Sequence, residues 1–157
     1  MRIITVSGAH SGVGKTKVAE MLLKKLRGWS AIKVTVSHRG NVCPRHRDCG
    51  ACDELGSDFA IVSDREIIEQ KGKDTQRFKQ AGAKDVLWLK ARPRGLKQGL
   101  KKTLFMLKKA RGIIIEGNSI LKYLKPDLAI FVKRGNSVFK PSAKDIFNKV
   151  DSVVTTG

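Results

Sequence analysis

Apolar, β-branched runs alternate with helical patterns along most of this chain. "RIITVS" (2–7), "AIKVTVSH" (31–38), "DVLWLKA" (85–91), "GIIIEG" (112–117), "LAIFVKR" (128–134) and "SVVTT" (152–156) read as strands. Several are apolar at consecutive positions, as expected of strands covered on both faces. Helical spacing falls between them, over residues 15–26, 74–82, 96–110 and 143–150, and a short apolar stretch, "FAIVSD", occupies 59–64. Strands and helices in this alternation predict a mostly parallel α/β sheet in three layers. The length of 157 residues suffices for one well-filled core, so residues 1–157 are read as a single domain.

The first strand runs into "GAHSGVGKTKVAE". A Gly-Lys-Thr that closes a loop and opens a helix is the end of a phosphate-binding loop. Successive backbone N–H groups there make a concave anion site, and the helix N-terminus adds positive potential. Ser11, Gly12, Val13, Gly14, Lys15, Thr16 and Lys17 are the candidate nucleotide-binding residues. Lys15 is expected to reach the outer phosphates and the Thr16 hydroxyl to bind Mg²⁺. Ala9 stands where the spacing usually has its first glycine. The Mg²⁺ site calls for an acid at the end of another core strand. Glu116 is the first candidate and Asp64 the second. Lys133, Arg134 and Asn136, after a later strand, are placed to touch a base. "NKVD" (148–151) mimics a guanine-reading tetrad but precedes a strand, whereas that motif follows one.

All three cysteines lie in "NVCPRHRDCGACDE" (41–54), where Cys43, His46, Cys49 and Cys52 follow a three-residue step. Pro44 and Gly50 supply turn chemistry. Three thiolates and an imidazole suit tetrahedral zinc, and the same set suits an iron–sulfur cluster. Free thiols in a surface loop are the third alternative.

The formal net charge is +18, a field that attracts polyanions or an acidic partner. From Lys90 to Arg111 there are nine Lys/Arg and no acid. On a helix, Leu96, Leu100, Leu104 and Leu107 share one face, and Lys97, Lys101, Lys102, Lys108 and Lys109 lie opposite, with Phe105 among them. That basic face is either solvated or a surface for a phosphate-rich ligand or nucleic acid, with any DNA binding weak and non-specific. No run approaches a membrane span and the N-terminus lacks a signal-peptide pattern, so a cytoplasmic protein with reduced cysteines is expected.

"SGVGKT", "KGKDTQRFKQAGA" (71–83) and "IIIEGNSILKYLKPDLAIFV" (113–132) together resemble the molybdopterin-guanine dinucleotide biosynthesis protein B family. The resemblance spans most of the chain. It implies a three-layer P-loop NTPase fold, commonly dimeric, here with a Cys-rich loop inserted after the second strand. It also implies binding of Mg²⁺ with GTP (or ATP), slow GTPase activity and support of a partner transferase in molybdenum cofactor biosynthesis. Lys15 and Glu116 carry over as catalytic residues, with Thr16 and Glu116 on Mg²⁺. Lys73, Asp74 and Arg77 carry over as substrate or switch contacts. Asp74 also reads as an ordinary helix N-cap. The alternatives are a small-molecule kinase, with Arg92 or Arg94 as phosphate clamps, and a nucleic-acid-binding NTPase that uses the basic helix.

Overall fold

The computed structural model describes residues 1–37, 55 and 57–157. Seven strands form one sheet in the order β3-β4-β2-β5-β1-β6-β7. They are β1 (Arg2–Gly8), β2 (Ser30–Val36), β3 (Phe59–Val62), β4 (Val86–Ala91), β5 (Gly112–Glu116), β6 (Leu128–Arg134) and β7 (Ser152–Thr156). Every pairing is parallel except β3 with β4. The expected mostly parallel α/β sheet is therefore present.

Side chains of β5 alternate between two cores. Ile114 joins Leu23, Phe78 and Phe131 on one face of the sheet, whereas Ile113 and Ile115 join Leu96, Leu100 and Leu107 on the other. Helices α1 (Lys15–Lys25) and α3 (Asp74–Gln80) cover the first face, and α4 (Leu96–Met106) covers the second. Two short helices, α2 (Arg65–Ile68) and α5 (Pro141–Lys144), are also present among the described residues. A strand buried on both faces has no solvated positions, which is why these strands read as apolar runs.

The leucine face of α4 is inward as expected, with Leu96, Leu100 and Leu107 buried and Leu104 half-buried. Gly99 brings the helix close to the sheet, since a Cβ there would stand 2.7 Å from Leu89 Cδ1. The lysines opposite are exposed, as is Phe105 at 66%. Helix α4 stops at Met106, short of the expected 110. Residues 143–150 do not form one helix: α5 is followed by a separate 3-10 turn at Phe147–Lys149. The turn lets Asp151 meet Ala129, with one backbone bond and one side-chain bond of 2.8 Å, so that β7 can pair with β6.

Among the described residues no helix is long and apolar enough to cross a membrane. The Cys43, His46, Cys49 and Cys52 set lies outside the described residues, and so does the whole 41–54 loop.

Candidate functional site

The parallel strands all end on one edge of the sheet, and ligands of such sheets bind outside those carboxyl ends. A cleft of about 890 Å³ lies there. It is lined by Ser11, Gly12, Gly14, Lys15, Thr16 and Lys17, and also by Lys73, Asp74, Arg77 and Glu116. Two groups of candidates far apart in sequence thus share one cleft.

The loop from Ala9 to Gly14 is built locally. Gly12 (φ 78°) and Gly14 (φ 105°) adopt left-handed conformations that other residues resist, and Gly14 leads directly into α1. The loop N–H groups and the start of an eleven-residue helix are the ingredients of an anion cradle. Val13 is fully buried beneath the loop, and its carbonyl accepts a 2.9 Å hydrogen bond from Thr156 Oγ1. Ala9 is buried too, with its N–H bonded to Val132 O and its carbonyl accepting the Lys140 N–H, both at 2.9 Å.

Lys15 Nζ donates to His10 O at 2.9 Å. Burial pushes its pKa down to about 8 against the pull of Glu116, and Lys140 and Lys33 push the same way as burial. Thr16 Oγ1 donates to Glu116 Oε2 at 3.0 Å across 100 positions of sequence. Glu116 is 2% exposed, at the end of β5 beside β1. A buried carboxylate needs a cation, and Lys33 of β2 supplies it. Lys33 Nζ reaches Glu116 Oε1 and Asp74 Oδ2, each at 2.6 Å. Burial draws the Lys33 pKa down, but Glu116 and Asp74 outweigh it, so the net shift is upward. Burial raises Asp74, but Lys33 outweighs it and holds the carboxyl below its usual range.

Asp74 is therefore not a helix cap. Lys73 occupies the N-cap position and makes no side-chain cap bond, while the Asp74 carboxylate turns to Lys33. Arg77 ties α3 to α1 through Glu20, at 2.6 and 3.0 Å, and that hydrogen-bonded partner raises its pKa further.

Asp64 stands elsewhere. Because β3 is antiparallel, the chain leaves it toward the opposite edge of the sheet, and Asp64 caps α2 through Glu66 N and Ile67 N. Lys133, Arg134 and Asn136 lie at the end of β6 and do not line the cleft. Arg92 and Arg94 are bonded to Leu55 O and Asp58, also away from it.

Sequence reading missed three participants. Lys33 is one. Asn118 is another: its side-chain amide pairs with both Gly8 N and Gly8 O at 2.9 Å, locking the ends of β5 and β1 together. Lys140, lining the cleft, is the third. Of these, Lys33 alone left a signal, as the one charged residue of a mostly apolar strand.

The Thr16 hydroxyl and the Glu116 carboxylate are hard oxygen donors, the kind that Mg²⁺ takes while keeping most of its waters. Among the described residues no group of three or more His, Cys, Asp or Glu side chains is arranged to hold a metal by itself. No family model matches the chain, and no curated protein matches it significantly.

Proposed function

We propose that this protein is a Mg²⁺-dependent, guanine-nucleotide-binding P-loop protein with slow GTPase activity, acting in cofactor or metallocentre maturation. The observation that carries the reading is the 3.0 Å bond between Thr16 and Glu116. It joins the hydroxyl ending a glycine-rich loop to an acid closing a neighbouring core strand, the two donors a Mg²⁺-nucleotide site requires. Lys15 would hold the outer phosphates and the loop N–H groups the inner ones. When bound, Mg²⁺ would offset the charge of the phosphates.

Guanine over adenine, a homodimer and a partner transferase belong to the same reading, through the resemblance to the molybdopterin-guanine dinucleotide biosynthesis protein B family. The Lys33 bridge supports a switch. It joins Glu116, at the nucleotide end, to Asp74 at the start of α3. A change in what Glu116 contacts alters the grip on α3, the kind of coupling by which nucleotide state reorders a segment.

Phosphate release from Mg²⁺-GTP and Mg²⁺-ATP tests the proposal. Slow release from GTP, lost in Glu116→Gln, is expected. Equal use of ATP would overturn the guanine preference. Fast transfer to an added small-molecule acceptor would favour a kinase.

A further inference from the structure

The segment after β6 returns to the 9–14 loop and is fixed there. Phe139 turns inward, with its ring centroid 5.1 Å from those of both Phe131 and Phe147. The Lys140 N–H donates to Ala9 O at 2.9 Å. Pro141 opens α5, where its missing N–H costs little, and Ala143 and Ile146 beyond it are fully buried. Successive side chains of an extended backbone face opposite ways. With Phe139 inward, Lys140 lines the same cleft as Ser11, Gly12 and Lys15.

Its ammonium meets no hydrogen-bond or ion-pair partner among the described residues. Asp74 and Glu116, the two carboxylates lining the cleft among the described residues, are both engaged by Lys33. The groups that feel or perturb the Lys140 charge are Lys15, Lys33 and Glu116. Those groups line the cleft, at the end where the nucleotide reading above puts the outer phosphates. A cation held by a fixed backbone, at an anion cradle and without an anion among the described residues, is placed for a ligand charge.

We propose that Lys140 is a second phosphate-reading residue, which contacts the terminal phosphate of a nucleoside triphosphate and so distinguishes triphosphate from diphosphate. The inference rests on the nucleotide-binding reading above.

Calorimetric titration of the wild-type chain, Lys140→Met and Lys140→Arg with Mg²⁺ and either a non-hydrolysable GTP analogue or GDP tests it. Loss of one charge-assisted hydrogen bond should weaken the analogue at least about tenfold in Lys140→Met. GDP affinity should change less than about twofold on the same scale, and Lys140→Arg should recover most of the loss. Equal weakening for both nucleotides, or no weakening for the analogue, would overturn the role of Lys140 while leaving the nucleotide site standing. Binding of neither nucleotide by the wild-type chain would remove both readings together.

Discussion

Replacing Lys33 with methionine removes an ammonium that contacts both Asp74 and Glu116, at 2.6 Å each, and keeps most of the side-chain volume. Glu116 is 2% exposed and would be left as a buried charge. Breaking a buried pair from one side costs about 3–5 kcal/mol. Asp74 is more open, at 31%, and would be partly screened by water, so its share is smaller. The expected loss is therefore at the low end, about 3 kcal/mol, which in a chain of this size is roughly 6–12 °C in Tm. By contrast, Arg65→Met breaks a pair whose Arg65 is 86% exposed and should shift stability by less than about 1 kcal/mol. Asp74 is held below its ordinary 3.8, so its stabilising share is present above that value and is lost as pH falls through the folded pKa. Lys33 is held above its ordinary 10.5, so its share is present below that value and is lost as pH rises through the folded pKa. The gap between wild type and Lys33→Met should be widest between these limits and narrow on both sides. Urea unfolding across pH measures it, and Lys33→Met combined with Glu116→Gln should regain much of the loss. A deficit below about 1 kcal/mol at neutral pH, or no coupling in the double variant, would refute the reasoning.

Three further outcomes are expected. Bound phosphates favour charged Lys15, so nucleotide binding should take up protons increasingly as pH passes about 8, and hardly any near about pH 6. Calorimetry in buffers of different ionisation enthalpy reads this, and a flat profile would count against Lys15 as the phosphate cation. Binding of duplex DNA by the exposed lysines of α4 should be weak and non-specific, with log K falling by roughly 0.9 per phosphate neutralised as log salt rises; tight, salt-resistant binding to one sequence would promote the nucleic-acid reading. The Cys43, His46, Cys49 and Cys52 set predicts about one zinc or iron–sulfur centre per chain or per dimer, lost in Cys49→Ser. Anaerobic purification followed by elemental analysis and absorption spectroscopy checks it, and a colourless, zinc-free protein would contradict it.

Local rules made the glycine-rich loop readable. Gly12, Gly14 and the opening of α1 are fixed by backbone conformation within a few residues. Glu116 was readable as an acid closing an apolar strand. Partners chosen by tertiary packing were harder. Lys33 lies between Ile32 and Val34, both buried, and nothing in "AIKVTV" names Asp74 or Glu116 as its anions. Lys140 meets the loop through tertiary packing, where the Phe131, Phe139 and Phe147 rings help fix the returning chain. Asp64 was misplaced for a topological reason: an apolar tetrapeptide does not reveal strand direction, and β3 runs antiparallel. The 143–150 helix was overextended because helical spacing is blind to the demand that Asp151 reach Ala129.

The most direct test of the nucleotide site is a calorimetric titration of the wild-type chain and Lys15→Ala with GTP, with and without Mg²⁺. The account predicts saturable, Mg²⁺-dependent binding by the wild-type chain and none of comparable strength by Lys15→Ala, with unchanged circular dichroism. Failure of the wild-type chain to bind, or equally tight binding by Lys15→Ala, would contradict it.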